Sequence, residues 1–206
     1  DQVVDIRLTP PANRTDLAVT TIHDYSLTAD ASENFALVEG VSLSGVLKDT
    51  QGRPIDHTKV SLHQQDSGDQ VAQVYTNASG VYQFQVETGN YKIKPHLNPF
   101  GRGEGQRPAY PLPDFATVLY AENNIEVDGA TLQDIILPLA ILSGTTTDAN
   151  GSAVANTRVT ISHIADKSNG GSGVSYYLES QGHSLVSHAL SDANGEFTLA
   201  LFTDQP

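Results

Sequence analysis

The chain has 206 residues with 24 acidic and 11 basic side chains, which gives a formal net charge of -13. This length fits two small domains that can each bury a core, and the acidic balance argues against binding to nucleic acid or to an anionic membrane surface. The absence of Cys excludes disulfides and thiol catalysis, and no apolar run approaches the roughly 18 residues of a membrane span.

The N-terminal segment, residues 1–33, predicts two β-strands at residues 3–8 and 17–28. In the first of them, Val4, Ile6 and Leu8 alternate with charged residues. A period of two places these aliphatic side chains on one face, as in a strand that is buried on one side only.

Residues 34–138 predict a β-sandwich repeat of six strands, which we label a to f. Short alternating segments are separated by turn signals such as Gln51-Gly52 and Ala78-Ser79-Gly80. The predicted strands are a at 41–48, b at 59–63, c at 71–76, d at 81–86, e at 91–96 and f at 117–127. Many short strands with frequent turns are typical of an all-β sandwich.

Residues 139–206 predict a second β-sandwich repeat. Gly144 follows Gly45 by 99 residues, and both glycines end a Leu-Ser-Gly sequence. The predicted strands are a at 141–147, b at 158–162, c at 183–190 and d at 196–202. Strands e and f have no counterpart here, so we expect the second repeat to be incomplete in this chain.

The N-terminal strands resemble the pieces that the second repeat lacks. Residues 3–8 resemble strand e, and residues 17–28 resemble strand f. Two explanations fit this phase of the repeat. The chain is either cut from a tandem array or a complete subunit whose N-terminal donor strand completes the open domain of a neighbour.

Three motifs recur in both repeats: Leu-Ser-Gly-x-x-x-Asp-x-x-Gly, Val-x-Leu/Ile, and Thr/Ser-x-Ala-x-Gly-x-Tyr/Phe-x-Phe/Leu. The first repeat adds Gly-x-Tyr-x-Ile at residues 89–93. Over roughly residues 34–206, this pattern resembles the carboxypeptidase regulatory-like domain. The resemblance implies a transthyretin-like (prealbumin-like, Ig-like) sandwich and a non-catalytic module of secreted or surface proteins. The matched residues also have structural explanations as turn and core positions.

A related family, the Cna-B-like domains of adhesins, forms an internal Lys–Asn isopeptide bond. Lys48 lies in strand a where that Lys would be, but the matching residue of the second repeat is Thr147. We therefore do not expect the crosslink.

No catalytic motif is present, so we expect no enzyme activity and no organic cofactor. Calcium is a candidate where oxygen-bearing side chains crowd two turns, although a complete EF-hand loop is missing and ordinary turns are favoured. The candidate ligands are Asp148, Asn150, Asp192 and Asn194.

Three histidines and a carboxylate of the second repeat also invite a zinc interpretation: His163, His183, His188 and Asp166. However, His183 and His188 are five residues apart and would face opposite sides of a strand. Solvated histidines are the favoured interpretation.

Two long connections interrupt the repeat and are candidate contact loops, since long loops often carry function. Tolerated insertions are the alternative. The first loop, residues 97–113, contains Phe100, Arg102, Arg107 and Tyr110. The second, residues 165–182, contains Tyr176 and Tyr177.

These observations favour a non-enzymatic extracellular or cell-surface structural protein. Its subunits would assemble head to tail into a filament, with Val4, Ile6 and Leu8 of one copy donated to the next. Glycan or a surface protein is a further candidate partner, whereas nucleic acid and membrane insertion are not expected. The alternative function is that of an adhesin stalk, or of a glycan- or protein-binding accessory region of a secreted hydrolase.

Overall fold

The computed structural model of the protein describes residues 2–11, 13–30, 32–97, 109–111, 118–163, 174–178 and 185–202. Within these ranges, the side chains of residues 118–123, 162–163, 174–178, 185–188 and 202 lie outside the description. All regular structure in the described ranges is β-strand, which confirms the predicted all-β class. No helix in this part of the chain has the length and apolar character needed to cross a bilayer.

The strands follow the predicted order. The N-terminal segment and the first repeat contain β1 (Gln2–Leu8), β2 (Thr20–Leu27), β3 (Val41–Asp49), β4 (Lys59–Gln64), β5 (Gln70–Tyr75), β6 (Val81–Val86), β7 (Gly89–Leu97), β8 (Val118–Val127), β9 (Thr131–Leu132) and β10 (Ile135–Leu137). The second repeat contains β11 (Leu139–Thr145), β12 (Arg158–His163), β13 (Val174–Leu178), β14 (Leu185–Leu190) and β15 (Glu196–Phe202).

The first repeat is built from two sheets. One has the order β10–β3–β6, with β9 also paired to β3, and the other has the order β13–β8–β7–β4–β5. Period-two burial explains how they form a core. In β6, Tyr82, Phe84 and Val86 are buried and alternate with side chains that are more exposed. Fully burying such a side chain contributes about 1.5–3 kcal/mol.

The second repeat keeps strands a to d of this arrangement. β11 pairs with β15 as β3 pairs with β6, and β12 pairs with β14 as β4 pairs with β5. Equivalent residues face each other, because Gly45 lies opposite Tyr82 and Gly144 lies opposite Phe197. The two sequence repeats therefore fold into matching strand pairs.

The turn before strand d is also the same in both repeats. Asn77 Oδ1 accepts backbone N–H bonds from Ser79 and Val81, and Asp192 Oδ1 accepts them from Asn194 and Glu196. A glycine follows in each case with a left-handed backbone, at φ 72° for Gly80 and 75° for Gly195.

Candidate assembly surface

The candidate donor strand is half of a hairpin. β1 pairs antiparallel with β2, and we call these two strands the N-terminal hairpin. Val4, Ile6 and Leu8 are half-buried, whereas the residues between them are exposed. The predicted alternation is therefore present, but the strand has a partner in its own chain.

The N-terminal hairpin has the same register as the hairpin of β7 and β8, which are strands e and f. Gln2 lies opposite Leu27 as Gly89 lies opposite Val127, and the following two pairs also correspond. In each hairpin the register then shifts, between Val4 and Ile6 in one and between Tyr91 and Ile93 in the other. Both hairpins thus carry a β-bulge at the same place.

The backbone at the two bulges also matches. Asp24 of β2 has φ 55° and Asn124 of β8 has φ 65°, and these are equivalent positions in the two hairpins. Left-handed backbone is uncommon outside glycine, although Asp and Asn tolerate it best. In the N-terminal hairpin, Asp5 Oδ1 accepts the backbone N–H of Asp24 at 3.1 Å. That hydrogen bond, followed by the one to His23, lowers the pKa of Asp5.

Strand b has different neighbours in the two repeats. β4 pairs with β5 along one edge and with β7 along the other. The equivalent strand β12 pairs only with β14 among the described residues. The edge of β12 that matches the β7 side of β4 is therefore an edge with unpaired backbone groups in this part of the chain.

The core of the second repeat is also less covered than that of the first. Leu43 and Ile55 of the first repeat are both 0% exposed. Their equivalents Leu142 and Val154 are 41% and 38% exposed. Similar apolar side chains at matching positions are thus covered in the first repeat and well exposed in the second.

Strands e and f and the segment after them close the first repeat. Fully or almost fully buried residues on these strands join the core cluster, and they are Tyr91, Ile93, Leu97, Ile125, Val127, Ile135 and Leu137. The N-terminal hairpin holds apolar residues at several equivalent positions, but there they are more exposed. Leu27 is 40% exposed, whereas its equivalent Val127 is 1% exposed.

The N-terminal hairpin lies beside the connection between β4 and β5. The Arg7 guanidinium donates to the Val71 carbonyl, and the Thr20 hydroxyl donates to Glu87 Oε1 at 3.0 Å. A cleft of about 610 Å³ lies between them and is lined by acidic residues that include Asp5, Asp24 and Asp69. Within the described ranges, no group of three or more acidic or histidine side chains is placed to hold a metal.

The calcium candidates belong to turns. Asp148 Oδ1 accepts the backbone N–H groups of Asn150 and Ser152 at 2.8 and 2.9 Å, and these bonds lower the pKa of Asp148. Asp192 Oδ1 bonds the backbone of Asn194 and Glu196 in the same way. This geometry explains each carboxylate by the turn that it stabilises.

Tyr110, a candidate contact residue, is buried. Its hydroxyl donates to Asp49 Oδ2 at 2.9 Å, and its backbone N–H donates to Asp56 Oδ1 at 3.0 Å. Burial and the bond to Asp49 raise the pKa of this phenol. A side chain enclosed in the core is not available as a surface contact, so the expected contact role does not fit Tyr110. Its hydrogen bonds instead connect it to the first repeat.

The other candidate contact residues are less fully placed. Phe100, Arg102 and Arg107 lie outside the described residues. Tyr176 and Tyr177 lie on β13, whose backbone pairs antiparallel with β8. Residues 174–178 of the second predicted loop thus form an added strand at the edge of the first repeat's larger sheet.

The first repeat contains a Ser–His arrangement that no sequence motif predicted. Ser61 Oγ lies 3.0 Å from His63 Nε2 and 2.7 Å from His96 Nε2. His63 Nδ1 lies 2.9 Å from the Gly68 carbonyl, which can only accept, so His63 Nδ1 is the donor in that bond. Burial, followed by the charge of Lys59, lowers the pKa of His96 to about 4. Ser61 is fully buried, and its hydroxyl connects β4 to His96 on β7.

The zinc candidates are described only in part. His163 and His188 lie on the paired strands β12 and β14, where His188 is opposite Thr160 and His163 is opposite Leu185. Their side chains, together with His183 and Asp166, lie outside the described residues. The favoured interpretation as solvated histidines therefore stays a prediction from sequence.

Lys48 forms an ion pair with an aspartate. Its Nζ lies 2.5 Å from Asp134 Oδ2, and both side chains are partly exposed. The hydrogen bond from Lys48, followed by the one from the Val46 backbone, lowers the pKa of Asp134. A carboxylate that stays ionised is a poor acceptor for amide formation, so this geometry favours an ion pair.

Comparison with solved structures finds similar chains of low sequence identity. The chain is similar to the Bacillus anthracis TIE protein with 15% identity and a TM-score of 0.33, covering 89% of this chain and 31% of that one. The chain is also similar to a Streptococcal ancillary pilin, with 11% identity and a TM-score of 0.29, covering 88% of this chain and 57% of that one. A third similar structure is the shaft pilin spaA from Lactobacillus rhamnosus GG, with 10% identity and a TM-score of 0.32, covering 80% of this chain and 83% of that one.

The chain thus spans about a third of the TIE protein and little more than half of the ancillary pilin. No curated protein matches the chain. Residues 42–103, from β3 to just beyond β7, match the family model of the carboxypeptidase regulatory-like domain, which confirms the predicted resemblance for the first repeat.

Proposed function

We propose that this chain is a non-enzymatic extracellular structural subunit that joins copies of itself head to tail. The observation that carries this proposal is a pair of complementary surfaces on one chain. In the second repeat, Leu142 and Val154 are well exposed at positions that are buried in the first repeat, and β12 has an unpaired edge among the described residues. The N-terminal hairpin has the register and bulge of the strands that close the first repeat.

Physical chemistry favours the union of these surfaces. Leu142, Val154 and Leu27 are between 38% and 41% exposed, and covering each of them contributes roughly 1 kcal/mol. Pairing along β12 would also satisfy backbone groups that otherwise remain at a sheet edge. The expected gain is large because both contributions arise in the same contact.

The geometry of the contact leads to a filament. The hairpin and the open repeat are different surfaces of the subunit, so the interface is heterologous. Such a contact continues from copy to copy and gives an open chain unless the rotation closes a ring. A polymer of linked sandwiches is therefore the expected product.

The non-enzymatic and extracellular parts of the proposal rest on the first repeat. Its Ser–His arrangement encloses Ser61, so the hydroxyl offers no surface to a substrate. Its resemblance to the carboxypeptidase regulatory-like domain implies a module of secreted or surface proteins. The net charge of -13 disfavours nucleic acid as a partner.

A second candidate function is a length of a tandem-module stalk, and one observation favours it. Both hairpins contact the repeat that follows them. The Arg7 guanidinium of the N-terminal hairpin donates to the Val71 carbonyl on β5, which is strand c of the first repeat, and β8 pairs with β13, which lies between strands b and c of the second. Covalently linked modules would show the same recurring contact.

The variant Ile6→Asp tests self-assembly, because a carboxylate on the inner face of the donor strand cannot enter an apolar groove. We expect wild type to form concentration-dependent polymers by light scattering and filaments by negative-stain electron microscopy. Ile6→Asp should remain monomeric while the first repeat stays folded. The matched control is Val3→Asp, because Val3 is 60% exposed on the other face.

Unchanged polymer length in Ile6→Asp would contradict strand donation. Isolated short rods of wild type at every concentration would favour the tandem stalk instead. Equal loss of assembly in Val3→Asp would show that added charge, and not the inner face, is responsible.

A further inference from the structure

We infer that β1 of one copy pairs antiparallel with β12 of a second copy, with Ile6 opposite Ile161. This inference rests on the proposed function and specifies its interface. The donated unit is the whole N-terminal hairpin, with β1 as the inner strand and β2 as the outer strand.

The register follows from the first repeat. There, β4 pairs with β7, and Leu62 lies opposite Ile93. The strand pairings make β12 the equivalent of β4, with an offset of 99 residues between Leu62 and Ile161. The hairpin pairings make Ile6 the equivalent of Ile93. Transferring the β4–β7 register therefore places Ile6 against Ile161.

The neighbouring pairs follow in the same way. Val60 lies opposite Pro95 and Ser61 lies opposite Lys94 in the first repeat. Their transfer places Leu8 opposite Val159, and Arg7 opposite Thr160. Val159 and Ile161 are half-buried in the second repeat, whereas Thr160 is exposed. Apolar residues would thus meet on the inner face and polar residues on the outer face, as strand alternation requires.

Both strands have an edge for this pairing. Among the described residues, β1 pairs only with β2 and β12 pairs only with β14. The edge of β1 away from β2 is the equivalent of the edge through which β7 bonds β4. The result would be a continuous sheet in the order β14–β12–β1–β2, matching β5–β4–β7–β8.

The outer strand and its continuation fit the same assignment. Tyr25 and Leu27 occupy the positions of Ile125 and Val127, which are core residues of the first repeat. Val38 is 40% exposed and follows the hairpin as the buried Leu137 follows β8. Half-buried or exposed apolar residues therefore extend along the hairpin and continue to Val38.

The absence of Cys from the chain permits a direct test of the register. Protein carrying Arg7→Cys is mixed in denaturant with protein carrying Thr160→Cys, refolded together and mildly oxidised. Directly opposed residues of an antiparallel pair meet the Cα separation of a disulfide, whereas diagonal neighbours are about 7–8 Å apart. The control pair is Arg7→Cys with Ser162→Cys, which is displaced by two residues.

We expect a crosslinked heterodimer from the matched pair to form at least about tenfold faster than from the control pair. Light scattering of each reduced variant is measured in parallel, so that a missing crosslink can be distinguished from a loss of assembly. A faster control pair, or no crosslink in either pair while filaments persist, would overturn the register and leave the proposed function standing. Wild-type protein that stays monomeric at all concentrations would overturn both.

Discussion

The first and second repeats show what strands e and f contribute to this fold. Both repeats contain strands a to d with matching pairings and turns. In the first, β7, β8 and β10 add apolar residues to the core cluster that contains Leu43 and Ile55. In the second, the equivalents Leu142 and Val154 remain well exposed. Strands a to d therefore define the framework, and the hairpin of e and f completes the core.

The turn after strand a also has more partners in the first repeat than in the second. Asp49 and Asp148 both accept two backbone N–H bonds from the turn that follows strand a. Asp49 also accepts from the Arg53 guanidinium at 2.6 Å and from the Tyr110 hydroxyl at 2.9 Å. The local turn is thus the same, and only the first repeat surrounds it with further partners.

Shortening an apolar side chain of strand b should give the largest difference in free energy of unfolding between the two repeats. Leu62 is fully buried, so Leu62→Ala should lower the free energy of unfolding of the first repeat by about 3 kcal/mol. Ile161 is only half-buried, and Ile161→Ala should cost about 1 kcal/mol in the monomer. Hydrogen exchange of peptides from β4 and β12 measures the two effects separately. Equal costs in the monomer would mean that the second repeat is already closed.

Substituting the equivalent glycines of strand a, Gly45 and Gly144, should give a smaller difference in stability between the repeats. A Cβ at Gly45 would overlap the backbone carbonyl of Gln133, whereas a Cβ at Gly144 would lie 2.8 Å from the ring of Phe197. A ring can rotate but a backbone cannot, so Gly45→Ala should cost about 2–3 kcal/mol and Gly144→Ala about 1 kcal/mol. Denaturant unfolding followed by hydrogen exchange checks the order of the costs, and the reverse order would contradict the comparison.

Acid should affect the first repeat more strongly through Asp49. Burial alone would raise its pKa, but the hydrogen bonds from the Arg53 backbone and side chain, Tyr110 and Gln51 together lower it. The stabilisation is therefore present above the ordinary pKa of 3.8 and is lost as pH falls through the lower folded value.

The variant Asp49→Asn should remove about 2 kcal/mol near neutral pH, because a neutral amide replaces the partner of Arg53. Asp148→Asn is the matched control and should have a smaller effect. Unfolding midpoints measured from pH 7 to about pH 3 should show a weaker acid dependence for Asp49→Asn than for wild type. The same acid dependence in both proteins would exclude Asp49 as the source.

Sequence periodicity was sufficient for β1 and β2 and for strands a to f of the first repeat, because alternation directly reflects one-sided burial. It also predicted the equivalence of residues 3–8 and 17–28 to strands e and f. The bulge at Asp24 and Asn124 was not predicted, since neither position carries the glycine that usually signals a left-handed backbone. That bulge is the detail that fixes the register of the candidate interface.

Long-range contacts explain the remaining differences from the prediction. Tyr110 lies in a connection without periodicity, and its partner Asp49 is 61 residues away, so no local pattern indicates its burial. β13 lies inside a segment that resembled an insertion, and its pairing with β8 joins two repeats. Such contacts depend on how the repeats are placed, which sequence periodicity does not record.

Hydrogen exchange along β12 tests most directly the claim that another copy completes the second repeat. Amides of β12 that face away from β14 should exchange rapidly in monomeric Ile6→Asp and become strongly protected in assembled wild type. Amides of β4, already paired on both sides, should be protected equally in the two proteins. Equal exchange of β12 in the monomer and the polymer would contradict the account.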